Sequence, residues 1–333
     1  MRNSKKNIIF FVIATILVFY VILRGEFREI LKILSTVNLY WIFTGIIAIS
    51  ISWLFKSLVM HRILNSYKKQ SFIKTLKLML ITIFFNGITP FATGGQPFQI
   101  YYLTKEKHDI KDSTSSVFQY TIIFQIALVI MSTILMGSNL IFNFINIKST
   151  IFILVICGYI MNFLVLFGLL GIVYSSKIKV FITKHVINFL GFIKLLKNPE
   201  NAKEKTEGEV EKFELTLKIF LKNKKSFIIS VFIMCIGIIL EYLVAYFVFL
   251  SLEMPATYDF IQIIIGMSYI VVLTAAIPIP GSIGGAEYAF YSSFGSIFGK
   301  EGTLTASIVW RFISFYLFLI IGYITLLFYR EEK

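Results

Sequence analysis

An all-α polytopic membrane protein is predicted by three features of the 333-residue chain. Apolar residues make up 57% and aromatics 17%, while charged residues make up only 15%, against roughly 25% in a soluble domain. The mean hydropathy is +0.81, and a water-soluble fold of this composition would expose apolar patches that aggregate. The apolar residues also fall in runs of about 20, the length that crosses a bilayer core. A secreted disulfide scaffold, a cytosolic globular enzyme and a disordered tail are thereby excluded. Cys157 and Cys235 lie inside apolar runs, and His61, His108 and His185 stand outside any metal-ligand spacing. Neither a disulfide framework nor a metal or other cofactor is expected.

The first element is an apolar run over 7–23, behind a tail carrying Arg2, Lys5 and Lys6. It has the charge pattern of a signal peptide but no small-residue cleavage site, so a retained helix is expected. Five further full spans follow at 39–60, 115–135, 150–174, 226–250 and 303–329, giving about six. Two more apolar segments, 73–103 and 257–297, are interrupted by glycine and proline. The whole of 1–333 reads as a single integral membrane domain.

Loop charge sets the expected topology. The 61–77 loop carries five positive charges, and the 175–225 loop has twelve lysines against six glutamates. The 24–38, 136–149 and 251–259 loops sum to about zero. The positive-inside rule places the N-terminus and both basic loops in the cytoplasm. The net charge of +14 is then explained by anionic headgroups, and no nucleic acid partner is expected. Counting back from 175–225 puts 104–114 on the cytoplasmic side too. The 78–103 segment must therefore enter and leave by one face, as a re-entrant loop or helical hairpin. Residues 257–297 are expected to approach from the other face, with a full crossing by 257–277 as the alternative. Within 175–225, two amphipathic stretches near 178–196 and 209–222 read as surface helices on the inner leaflet, with a regulatory docking role as the alternative.

The two interruptions match. Pro90 is followed by Gly94-Gly95 and Pro280 by Gly284-Gly285, an offset of 190 residues, and four of the six prolines lie in these two segments. Matched breaks in two halves point to an inverted repeat with a midplane site. Proline stops a helix and removes a donor, while glycine permits turns closed to other residues. In hydrocarbon the freed backbone groups need partners, so the breaks must line a cavity. A helix restarting after Gly95 or Gly285 turns its amides and dipole inward, a setting suited to phosphate. The alternative is a pair of kinks that only allow close packing.

Charges inside the spans add candidates. Glu241, Glu287 and Arg311 each cost roughly 2.5–3.5 kcal/mol at the bilayer centre unless paired. Arg311 can neutralise Glu241 or Glu287, or bind a phosphate bidentately, with the carboxylates taking a headgroup amine or a proton. Gln96 and Gln99 are uncharged headgroup contacts. Lys56 is expected to snorkel to the interface, and Gln125 and Asn162 to join helices. Neither a nucleophile with a partner base, nor a Walker loop, nor an HExxH helix occurs.

At these motifs the sequence resembles the lysylphosphatidylglycerol synthase transmembrane, or flippase-like, family. Asn86 to Leu103, with Thr89-Pro90 and Gly94-Gly95-Gln96-Pro97, is similar to its first signature. Pro278-x-Pro280-Gly281-x-Ile283-Gly284-x-x-Glu287 resembles its second, and the Arg311 helix with Tyr316 and Gly322 its closing helix. Such modules occur in bacterial multiple peptide resistance factors, ahead of a soluble domain that transfers lysine from lysyl-tRNA to phosphatidylglycerol. The resemblance implies a translocator in the bacterial cytoplasmic membrane for an anionic or aminoacylated phospholipid, or a lipid-linked precursor, contributing to cationic peptide resistance. It implies a substrate-binding set of Asn86, Thr89, Gly94, Gly95, Gln96, Gln99, Glu241, Gly284, Gly285, Glu287 and Arg311. It leaves room for a separate lipid-modifying enzyme as partner and for a homo-oligomer. Gln96 and Gln99 replace the glutamate and arginine common in the family, and the sequence ends at Lys333 without a transferase domain. Phosphatidylglycerol lysyltransferase activity, or membrane-subunit status, is the enzymatic alternative. A non-transporting scaffold is the structural one.

Overall fold

The computed structural model describes residues 37–145, 149–174, 223–253, 259–275 and 277–329. The expected span at 7–23 and nearly all of the 175–225 loop lie outside them. Among the described residues every regular element is helical. Five helices are long and apolar enough to cross a membrane: Leu39–Leu64, Ile110–Phe142, Ile151–Gly171, Lys224–Ser251 and Glu301–Leu327. They coincide with the five remaining predicted spans.

Helix α1 (Leu39–Leu64) starts where the Asn38 side chain accepts the Tyr40 amide at 3.1 Å, an N-cap bond that satisfies one orphan donor. Leu39, Phe43, Ile47, Ile51, Leu54 and Leu58 are exposed along one side, while Ile42, Ile49, Val59 and Ile63 are buried on the other. The 3–4-residue spacing divides a lipid face from a protein face. Helix α2 (Phe72–Ile88) ends at Thr89, held extended at φ −115° and ψ 146° because Pro90 follows. A 3₁₀ turn, Pro90–Ala92, leads into α3 (Gly95–Lys105), and α4 (Ile110–Phe142) and α5 (Ser149–Tyr174) complete the first half.

The second half repeats this plan. Helix α6 (Lys224–Ser251) precedes α7 (Phe260–Thr274), which opens with a reciprocal capping box between Asp259 and Gln262. A 3₁₀ turn, Pro280–Ser282, leads into α8 (Gly285–Phe298). Then come α9 (Lys300–Arg311), a π-helical turn over Phe312–Tyr316, and α10 (Leu317–Leu327). At the 190-residue offset α1 corresponds to α6, α2 to α7, α3 to α8, and α4 to α9–α10. Even the turn backbones agree: Phe91 and Ala92 have φ of 53° and 52°, and Gly281 and Ser282 have 61° and 51°.

The repeat is inverted. Helices α1 and α6 form the most extensive interface and run antiparallel along their length. The Asn38 amide donates to Ser251 O at 2.8 Å, Ser52 Oγ to Gly237 O at 2.7 Å, and Arg62 Nη2 to Ser226 Oγ at 3.4 Å. The halves also exchange helices, since α2 packs on α10 and α7 on α4. Gly322 allows the first of these contacts, because a Cβ there would stand 2.4 Å from Leu80 O. Such close backbone approach supplies the packing that hydrophobicity cannot supply in lipid.

Both broken segments are hairpins entered from opposite faces. Lys74 Nζ binds Glu106 Oε2 at 2.9 Å and Lys68 Nζ donates to Lys107 O at 3.0 Å, so the ends of α2 and α3 meet on one face. Gln262 Nε2, at the start of α7, donates to Phe144 O beyond the far end of α4 at 2.8 Å. Phe298, at the end of α8, stacks on Phe249 at 4.2 Å, beside the α6 terminus that meets Asn38. The second hairpin therefore opens at the opposite end of the bundle, and α7, at 15 residues, is shorter than the ~20 that a full crossing takes. The two 3₁₀ turns pack against each other where the hairpins end.

Candidate functional site

The meeting of the two turns concentrates the polar groups. At the first turn, Thr89 Oγ1 accepts the Gly94 amide at 2.8 Å and Asn86 Oδ1 accepts the Gly95 amide at 2.9 Å. The sequence alone leaves these two amides free for a phosphate. They are engaged instead by the end of α2, because a helix start inside the membrane has no water to satisfy it. Asn86 and Thr89 are caps in this arrangement. An anion at this helix start would have to displace them.

Gln96 and Gln99 lie one turn apart on α3 and differ in burial. Gln99 is 2% exposed, with Nε2 3.5 Å from Met79 Sδ, so it faces the interior of its own hairpin. Gln96 is half-buried, and its Oε1 is buried without a hydrogen-bond partner among the described residues.

At the second turn a guanidinium organises the site. Arg311 has a 6% exposed side chain; its Nε donates to Glu287 Oε1 at 2.7 Å and its Nη2 to Gly281 O at 2.6 Å. Its Cζ stands 4.5 Å from the Phe315 ring centroid, close enough for a cation–π contact.

Glu287 is the more open partner of the ion pair, at 18% exposure, and it sits in the first turn of α8. There the carboxylate also faces the positive end of the helix dipole. Its Oε2 is buried and takes no hydrogen bond from a described residue. The start of α8 has no side-chain cap at Gly284, and a Cβ on Gly284 would meet open space. Gly285 is closed in by Ile277. Arg311 ends α9 at the π-helical turn, a distortion frequent at functional sites.

Glu241 pairs elsewhere. Of the two partners open to Arg311, the structure selects Glu287, and Glu241 binds Lys56 between α1 and α6. Lys56 does not snorkel. Its side chain is 5% exposed, and its Nζ lies 4.7 Å from the Trp53 ring centroid. Gly237 lies at this crossing, where a Cβ would come into ordinary contact with Lys56 Cγ and Ser52 O at 3.4 Å. Attraction to the half-buried Glu241 carboxylate outweighs the pull of the interface because an unpaired charge inside a span would be costly in hydrocarbon. Gln125 Nε2 donates to Asn162 O at 2.9 Å and Oδ1 at 3.0 Å, so these two residues do join α4 to α5.

A model of the lysylphosphatidylglycerol synthase TM region matches residues 7–322. The chain belongs to this family. It is also similar to the UPF0104 membrane protein PH1989 of Pyrococcus horikoshii, at 26% identity over 339 residues and 97% of both chains. The family match takes in both hairpins and Arg311, so the geometry above is that of a lysylphosphatidylglycerol synthase TM region.

Three contributors to the site were not legible beforehand. Phe315 stands four residues after Arg311, a spacing that puts cation and ring on one helix face and could have been noticed. Lys56 was visible as a charge of the right sign for Glu241, but no local pattern joins residues 185 positions apart. The Gly281 carbonyl is exposed to Arg311 only by the left-handed turn.

Proposed function

We propose that this chain is a flippase-like translocator of a membrane lipid, such as lysyl-phosphatidylglycerol or a lipid-linked precursor. The observation that carries the reading is the contact between two hairpin turns that enter from opposite faces, with Arg311 and Glu287 beside it. Hairpins of opposite entry that meet inside the membrane give a site that either leaflet can reach when one half rocks against the other.

The residues supply matching chemistry. A guanidinium has five N–H donors, and the bonds to Glu287 and Gly281 use two, leaving capacity for phosphate oxygens. Glu287 Oε2 and Gln96 Oε1 are buried acceptors without donors among the described residues, and an ammonium or hydroxyl of a headgroup would satisfy them. A headgroup with both phosphate and donors fits this set. The caps Asn86 and Thr89 hold the first turn in place, and Gln99, Gly94 and Gly95 shape α3 around it. Lys56 neutralises Glu241 until a headgroup amine or a proton competes for the carboxylate.

The test is reconstitution of the purified chain into liposomes carrying fluorescent phosphatidylglycerol or lysyl-phosphatidylglycerol, with dithionite quenching of the outer-leaflet probe. Quenching should proceed past the outer-leaflet fraction with the native chain, and the Arg311→Ala variant should stop at that fraction. No transfer of any tested lipid by the native chain would remove the translocator reading in favour of a scaffold. The orientation with basic loops in the cytoplasm is tested in the same vesicles by protease access to the 175–225 loop.

A further inference from the structure

We propose that the base of the first hairpin is a phosphate-binding cleft at the membrane surface, separate from the midplane site. The cleft has a volume of about 220 Å³ and is lined by residues of the 68–74 and 106–108 segments. That is several times the ~30 Å³ share of a water molecule, room enough for a phosphate group.

Its charge is one-sided. Lys68, Lys69, Lys74 and Lys107 line it against a single carboxylate, Glu106. Glu106 is already paired with Lys74 at 2.9 Å, and Lys68 Nζ donates to the backbone carbonyl of Lys107. An ammonium has three donors, so Lys68 keeps capacity beyond this bond. His108 adds no compensating negative charge, and burial holds its pKa below the ordinary value. The 17-residue helix α2 begins at the same place, with Ser71 as its N-cap and as part of the cleft wall. Its dipole adds partial positive charge where the lysines converge.

The cleft is also built rather than incidental. Three cross-links join the first turn of α2 and the loop before it to the segment after α3: Lys74 to Glu106, Lys68 to Lys107 O, and His108 Nε2 to Gln70 Oε1 at 3.1 Å. His108 is buried within this clasp. Lys68 and Lys74 are therefore held at a cleft that Lys69 and Lys107 also line, and a bound dianion would offset the shared positive charge. A phosphate at this depth comes from an acidic lipid headgroup or from a soluble phosphate, and one cleft chemistry serves both.

The experiment uses the full purified chain after delipidation. Native mass spectrometry with added phosphatidylglycerol or phosphatidylcholine reads lipid retention, and thermal unfolding with pyrophosphate or chloride at equal ionic strength reads the soluble anion. The paired substitutions Lys69→Gln and Lys107→Gln remove cleft charge, while Lys77→Gln with Lys224→Gln removes equal charge outside the cleft. A preference for phosphatidylglycerol of tenfold or more, lost in the cleft variant alone, assigns the cleft to a headgroup. A pyrophosphate-specific rise in unfolding temperature, lost in the cleft variant alone, assigns it to a soluble phosphate. The proposal is overturned when neither response occurs, or when the two variants lose it equally. Neither readout requires lipid translocation, so the result stands apart from the liposome assay.

Discussion

The turn of the first hairpin is secured by its own residues, whereas the turn of the second is tied to a helix outside it. Asn86 and Thr89 of α2 cap Gly95 and Gly94 at the start of α3, a closed set of contacts within one hairpin. The second has no side-chain cap at Gly284, and its turn is held by Arg311 of α9 through Gly281 O and Glu287. At the 190-residue offset Arg311 corresponds to Thr121 and Glu287 to Pro97, so the first half has no counterpart of this ion pair. The repeat preserves backbone shape through proline and left-handed turns, but it places the charge on one side only. Both hairpins meet the last span, the first through the close packing of α2 on α10 and the second through the charge of Arg311.

The largest test of this contrast removes the tether. Arg311→Ala should destabilise the protein by about 3–5 kcal/mol, because Glu287 is left as an unpaired buried charge. Thermal unfolding in detergent would measure it. Combining Arg311→Met with Glu287→Gln should recover most of the loss; a double variant as unstable as the single one would show that packing, not charge, secures the second hairpin.

Next in size is the turn itself. Gly281→Ala imposes left-handed strain of roughly 1–2 kcal/mol, and its Cβ would stand 2.4 Å from Phe315 Cζ. The equivalent Phe91 already accepts that conformation and is exposed. Phe91→Gly should change stability by less than about 1 kcal/mol, as relief of strain is offset by glycine's entropy cost. Equal effects at both turns would erase the distinction between them.

A smaller loss is expected at the caps. Asn86→Ala should cost about 1 kcal/mol, the usual value of an N-cap side chain, and should speed amide exchange at Gly95 while leaving α8 unchanged. Exchange that rises in both hairpins together would mean that they move as one body.

The smallest effect is one of pH. His108 is kept below the ordinary value of 6.5 chiefly by burial, with Lys68 and Lys74 adding to the shift and Asp112 and Glu106 opposing it. The unfolded chain therefore binds a proton more readily than the folded one. The clasp has its full stability above about pH 6.5 and weakens as pH falls from there toward the lowered folded value. Faster exchange in the 65–71 and 105–109 loops on acidification, absent in His108→Gln, is the expected result.

Composition and run length determined the membrane class and the positions of the five described spans, because hydrocarbon requires about 20 apolar residues per helix whatever surrounds them. The matched Pro…Gly-Gly motifs also disclosed the repeat, since few residue types can end a helix and restart it. Loop charge was enough to show that 78–103 turns back, a deduction made from counting alone. Tertiary structure decided which charges meet. Arg311 could have paired with either glutamate, and the choice depended on α8 and α9 packing together while α1 and α6 crossed at Gly237. It also decided that Asn86 and Thr89 would occupy the amides of Gly95 and Gly94. A sequence shows that a broken helix in lipid must satisfy its backbone, but the partner that does so is fixed only when the chain folds back within hydrogen-bonding distance.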